Sequence, residues 1–128
     1  MKIKVEGKIK DVKLPKRFKN KWVKALRSGE FKQGKNELYS SISDTYCCLG
    51  VCGVICSVHI SSMDYVGLFS EDWESSFTSD EFKAIPKLLK GSCESDDYDY
   101  NIIVAKLTKM NDNGKTFKQI AAYINRYL

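Results

Sequence analysis

The sequence predicts a helix-dominated α+β fold: a single compact domain, residues 1–128, of about four helices with a small β component, in which 1–14 form a basic leader. Three observations carry that expectation. The chain has 128 residues and 14.6 kDa, within the usual range for one domain. Apolar side chains recur with helical period in several separate stretches. A composition of 43% hydrophobic and 29% charged residues is that of an ordinary soluble protein. A chain of this size buries roughly two-thirds of its unfolded surface and needs neither disulfides nor a metal to fold.

The elements follow in order. Lys2–Val5 alternates charged and apolar residues, with Ile3 and Val5 on one face and Gly7 ending it, which reads as a short strand. After Leu14-Pro15, residues Phe18, Trp22, Ala25 and Leu26 fall at i, i+4, i+7 and i+8, and Gly29 supplies a stop. The spacing predicts a helix over 16–28 with a lysine-rich outer face. Residues 30–44 carry turn residues and read as a loop with a short strand at Glu37–Ser40. The segment 45–59, TYCCLGVCGVICSVH, is the most apolar in the chain. Its length and small residues favour a buried helix, although Val51, Val54, Ile55 and Val58 also suit a strand. Gly50 and Gly53 weaken a helix and fit one where another helix packs closely.

Further along, Met63–Phe69 suits a strand, 70–82 is an acidic, aromatic-punctuated surface stretch, and Pro86 opens a short helix stopped by Gly91. Ile102, Ile103, Leu107 and Met110 make a helical pattern ending at Asn111-Asp112-Asn113-Gly114, a strong turn signal. Thr116 and Gln119 form a capping box for a last helix, with Phe117, Ile120, Ala121, Ile124 and Leu128 as its buried stripe.

The net charge of +5 hides a segregation: residues 1–35 carry +10, 36–63 carry −2, 64–99 carry −7 and 100–128 carry +4. No 18-residue apolar run suits a bilayer, and the start MKIKVEGKIK lacks the apolar core of a secretory signal. Five cysteines, four of them within 47–56, are an odd set in an apolar segment and read as reduced thiols. The expectation is a protein of the cytoplasm with no membrane partner.

Candidate chemistry is sparse. Cys48, Cys52 and Cys56 repeat every four residues, and His59 follows, so zinc is conceivable, with Cys93 as a distant fourth ligand. Structural zinc sites usually draw ligand pairs from two elements, which favours core packing here. The one histidine, His59, stands eleven residues from Cys48, about 16 Å along a continuous helix. That separation argues against a Cys–His nucleophile, and Ser–His–Asp catalysis meets the same bottleneck. Glu71/Asp72/Glu74, Asp80/Glu81 and Asp96/Asp97/Asp99 read as solvated surface. No catalytic residue, metal ligand or cofactor is assigned. The GKTFKQIAAYI segment has the look of a first helix of a helix-turn-helix, but no recognition helix follows it, which disfavours sequence-specific nucleic-acid binding.

Four blocks carry a resemblance: W-x-x-ALRSG-x-x-x-Q (Trp22 to Gln33), YCCLGV (Tyr46 to Val51), IP-x-x-L (Ile85 to Leu89) and L-x-x-MND-x-G-x-TF-x-x-IA-x-x-I (Leu107 to Ile124). In that order, over about 100 residues, the chain resembles small proteins of tailed bacteriophages and prophages. The resemblance implies an accessory protein of the bacterial host cytoplasm and supplies no catalytic residues. With no catalytic constellation, the expectation is a binding protein that antagonises a host antiviral defence. It would do so by binding a host defence protein or by sequestering an anionic, nucleotide-derived signal. Lys16, Arg17, Lys19, Lys21 and Lys24 are the expected cationic contributors. Asn111, Asp112, Gly114 and Thr116 form the turn expected to present backbone N–H groups at the last helix's N-terminus. The alternatives are a small enzyme acting on a nucleotide or through a thiol of Cys47 or Cys48, and a non-specific nucleic-acid binder. A homo-oligomer held by opposite charges also fits the segregation.

Overall fold

The computed structural model describes residues 2–5, 8–11, 13–56 and 102–128. The leader forms not one strand but a hairpin: β1 (Lys2–Val5) pairs antiparallel with β2 (Lys8–Asp11), in a register that sets Lys2 against Asp11 and Val5 against Lys8.

Helix α1 (Lys16–Arg27) begins at Pro15, whose fixed φ of −53° suits the boundary and whose carbonyl accepts the Lys19 N–H at 2.9 Å. The spacing read from the sequence is realised: Trp22, Val23 and Leu26 are buried, and Phe18 and Ala25 pack against the core. Ser28 closes the last turn by donating its N–H and hydroxyl to the Ala25 carbonyl, and Gly29 then turns away at φ 78°. That left-handed value is one glycine adopts without strain.

The loop after α1 leads into a small antiparallel pair, β3 (Tyr39–Ser40) and β4 (Thr45–Tyr46), with Tyr39 against Tyr46 and Ser40 against Thr45. This pairing corrects the expected start of the central helix. Thr45 and Tyr46 are held in the strand pair, so α2 runs Cys48–Ile55. It is a helix nonetheless, buried on every side from Cys48 to Gly53. All-round burial explains why its apolar run carried no readable period. At Gly50 the helix meets the Leu38 carbonyl so closely that a Cβ would overlap it.

Helix α3 (Ile102–Asp112) buries Ile103, Val104, Leu107 and Asn111. It ends in a Schellman motif: the Lys115 N–H reaches the Met110 carbonyl at 3.0 Å and the Gly114 N–H the Asn111 carbonyl at 3.3 Å, with Gly114 at φ 95°. Helix α4 (Phe117–Tyr127) starts on the expected capping box, Thr116 N–H to Gln119 Oε1 at 2.9 Å and Gln119 N–H to Thr116 Oγ1 at 3.2 Å.

The core lies where these helices meet. α1 pairs most extensively with α4, and their opposite ends are tied. Leu14 N–H donates to the Leu128 carbonyl at 2.7 Å, and Phe117 N–H donates to Gln33 Oε1 just beyond the end of α1 at 3.0 Å. The two helices therefore run antiparallel. α2 packs on α1 and α3, and Trp22, wholly buried, donates its indole N–H to the Cys48 carbonyl at 3.0 Å. A buried indole needs such a partner, and its ring contributes roughly 1.5–3 kcal/mol by burial alone. The domain is thus helix-dominated α+β, with four helices and two small strand pairs among the described residues. The expected strand at Met63–Phe69, the acidic stretch 70–82 and the short helix at Pro86 lie outside those residues. No described helix is long and apolar enough to cross a membrane.

Candidate functional site

Three constellations bear on function. The first gathers the turn after α3. Asn111 is wholly buried, and its Oδ1 accepts from Gln33 Nε2 at 3.0 Å and from the Cys48 N–H at 3.2 Å. Its Nδ2 donates to the Gly34 carbonyl at 2.7 Å. Gln33 also donates to the Lys115 carbonyl at 2.7 Å, and Asp112 accepts the Asn36 N–H at 2.9 Å. One polar clasp thus fastens the loop after α1, the N-terminus of α2 and the α3–α4 turn. Several N–H groups of this turn are already donated: Gly114 and Lys115 within the Schellman motif, Thr116 and Gln119 within the capping box, Phe117 to Gln33. Asn111, Asp112, Gly114 and Thr116 therefore hold the fold together at this corner.

The second is the cysteine cluster. Cys47, Cys48, Cys52 and Cys56 are buried and unbridged. Cys47 caps α2 by accepting the Gly50 N–H on its sulfur at 3.4 Å, and Cys48 donates its thiol to the Leu107 carbonyl at 3.6 Å. Burial pushes the Cys47 thiol up to about 11 and holds those of Cys48 and Cys52 well above the usual value. Such thiols stay protonated at neutral pH and make poor nucleophiles. Cys56 differs: the Cys52 thiol donates to it and the Lys21 ammonium lies nearby, and together these lower its pKa. Among the described residues no group of three His, Cys, Asp or Glu side chains could hold a metal. His59 and Cys93 lie outside those residues.

The third is the outer face of α1. Arg17, Lys21 and Lys24 recur at i, i+4 and i+7, all exposed, with Lys16 exposed beside them and Lys19 half-buried. The first turn holds no acidic residue. No side chain of the five makes a hydrogen bond or a carboxylate ion pair with a described residue, although the Lys21 ammonium stands near Cys56. Like charges at i, i+4 cost helix stability, as do cations against the positive helix N-terminus.

Beside this stripe an open cleft of about 510 Å³ runs between α1 and α4, lined by Asn20, Val23, Lys24, Arg27, Ser28 and Asn125. The structure therefore brings one predicted cation, Lys24, together with three polar side chains that sequence reasoning missed: Asn20, Arg27 and Asn125. Asn20 and Arg27 could have been found, since they flank Lys24 at helical spacing. Asn125 enters from another helix, and only the packing of α4 on α1 reveals it.

The family model for a domain of unknown function (DUF8296) matches residues 14–128, and the chain belongs to that family. The β1–β2 hairpin precedes the matched region. Comparison with curated proteins and with solved structures gave no match.

Proposed function

Taking that membership as the premise, we propose that the chain is an accessory binding protein that captures an anionic, nucleotide-derived ligand on the outer face of α1. The observation that carries the reading is the cationic stripe of Arg17, Lys21 and Lys24, exposed and without a carboxylate partner among the described residues. Arg17 and Lys21 oppose helix stability as like-charge neighbours, and Arg17 does so again as a cation in the first turn. A face maintained against its own helix is explained by a ligand that supplies the missing negative charge. The resemblance to small phage and prophage proteins directs the reading to the bacterial host cytoplasm, where sequestering such a signal would blunt an antiviral defence.

Binding is favoured over thiol chemistry because Cys47 and Cys48 are buried and held protonated. Isothermal titration of the full chain against cyclic dinucleotides and ADP-ribose tests the proposal. The expected result is saturable binding that weakens by about tenfold in the double variant Arg17→Gln/Lys21→Gln, given the usual strength of charge-assisted hydrogen bonds. The nucleotide is recovered unchanged after incubation. Flat titrations across the panel would remove the reading.

A further inference from the structure

We infer that the cleft between α1 and α4 is a nucleotide site: a phosphorylated nucleoside places its phosphate on Lys24 and Arg27 and its base edge on the carboxamides of Asn20 and Asn125. This rests on the reading of the chain as an anion binder and narrows it to one place and one ligand class.

Four properties of the cleft lead there. Its volume, about 510 Å³, has room for a mononucleotide, and because the cleft is wide open to solvent, affinity must come from its polar groups rather than from enclosure. Its lining combines two cations with two carboxamides and includes no carboxylate, so it suits an anion and repels a metal ion. Asn20, Lys24, Arg27 and Asn125 are exposed, and none of their side chains makes a hydrogen bond or ion pair with a described residue. Their donors and acceptors are therefore free for a ligand. The floor is Val23, which is only 7% exposed, so recognition falls to the polar groups of the rim.

The mixture of groups selects the ligand. A guanidinium and an ammonium suffice for a bare phosphate, the guanidinium gripping two oxygens at once. Both lie in the last turn of α1, whose end carries about half a negative charge, so two full positive charges leave the site clearly attractive to anions. A carboxamide N–H can also reach a phosphate oxygen, but the acceptor oxygen beside it has no use for an ionised phosphate. Each carboxamide presents a donor and an acceptor side by side, the pattern that pairs with the edge of a nucleobase. The two come from different helices, so they are fixed relative to each other by the core rather than by one flexible segment. Ser28 is excluded from recognition, because its hydroxyl already bonds the Ala25 carbonyl and the Glu30 N–H.

The test titrates the full chain with the four ribonucleoside monophosphates and with inorganic phosphate, in wild type and in Arg27→Gln, Asn20→Ala and Asn125→Ala. All three positions are exposed, so the variants are expected to keep wild-type circular dichroism. At least one monophosphate should bind about tenfold or more tighter than inorganic phosphate. Arg27→Gln should weaken both by about tenfold, the loss expected for a charge-assisted hydrogen bond. Asn20→Ala and Asn125→Ala should weaken the nucleotide by about fivefold each and leave inorganic phosphate unchanged, as neutral hydrogen bonds would. Equal affinity for phosphate and nucleotide, or wild-type nucleotide binding in both asparagine variants, overturns the cleft assignment and leaves the stripe of Arg17 and Lys21 as the binding face. Absence of any anion binding in wild type overturns the wider reading and this one with it.

Discussion

Asn111 joins three chain segments through one carboxamide, accepting from Gln33 and Cys48 and donating to Gly34. Truncation to alanine strands those buried partners, and each unpaired buried group costs about 1–3 kcal/mol. Asn111→Ala is therefore expected to lower the unfolding free energy in urea by about 2–4 kcal/mol without touching the α1 face. The thiols give a second test at this scale. Cys47 holds its proton to about pH 11 in the fold, against an ordinary value of 9.0. Between those two pH values the unfolded chain has released the proton and the native chain has not. Stability contributed by the neutral thiol is thus full below pH 9 and declines as pH rises toward 11. Urea midpoints measured from pH 8 to 11 should fall less steeply in Cys47→Ala than in wild type. Among Cys47, Cys48, Cys52 and Cys56, iodoacetamide should alkylate Cys56 first at neutral pH, because only its thiolate is favoured by its surroundings. Peptide mass spectrometry of briefly treated native protein reads that order directly.

In helix α1 the proposed function and helix stability pull in opposite directions within one element. Lys24 and Arg27 sit in its last turn, where cations suit the helix dipole, whereas Lys16 and Arg17 sit in its first, where they oppose it. Replacing Lys16 and Arg17 by glutamate is expected to raise the melting temperature, each change being worth about 0.3–1 kcal/mol, while nucleotide binding weakens. A higher melting temperature with nucleotide binding unchanged, read by calorimetry and titration, would show that these two cations take no part in holding or steering a ligand. The same element explains what was legible beforehand. α1, α3 and α4 were readable because their signals are local: Trp22 and Leu26 mark a period, Gly29 and Gly114 mark stops, and Thr116 with Gln119 marks a start. α2 was readable only in outline, since burial from Cys48 to Gly53 erases periodicity and its start depends on Thr45–Tyr46 pairing with Tyr39–Ser40. The cationic stripe was visible for the same local reason as α1. The turn at Asn111–Thr116 looked like an anion cradle because nothing local reveals that Gln33 takes the Phe117 N–H. The cleft was hidden because Asn125 joins Asn20 and Arg27 only through the pairing of α1 with α4.

At the scale of the whole molecule, residues 13–56 and 102–128 carry fourteen basic and four acidic side chains, whereas the complete chain is only +5. Two of those four acids are already engaged, Asp44 accepting from the Tyr39 hydroxyl and Asp112 from the Asn36 N–H. The positive field over α1 should steer any anion toward this side, so steering alone cannot tell a nucleotide from a nucleic acid. Salt dependence can. A polynucleotide lying along α1 would meet Lys16, Arg17, Lys19, Lys21 and Lys24, and neutralising about five phosphates gives a log–log slope of affinity on salt of about −3.5 to −4.5. A mononucleotide held by Lys24 and Arg27 releases few condensed ions, because it carries no dense counterion atmosphere of its own, and its slope should stay shallower than about −2. Titrations of a nucleoside monophosphate and of a single-stranded oligonucleotide between 50 and 300 mM salt, to be run at about constant pH, place both slopes on one plot. Tight, shallow mononucleotide binding beside weak, steep oligonucleotide binding is the expected outcome. If the oligonucleotide instead binds tightly at every salt concentration and the nucleotide does not, the face reads a phosphate chain, and the carboxamides of the cleft have no part in it.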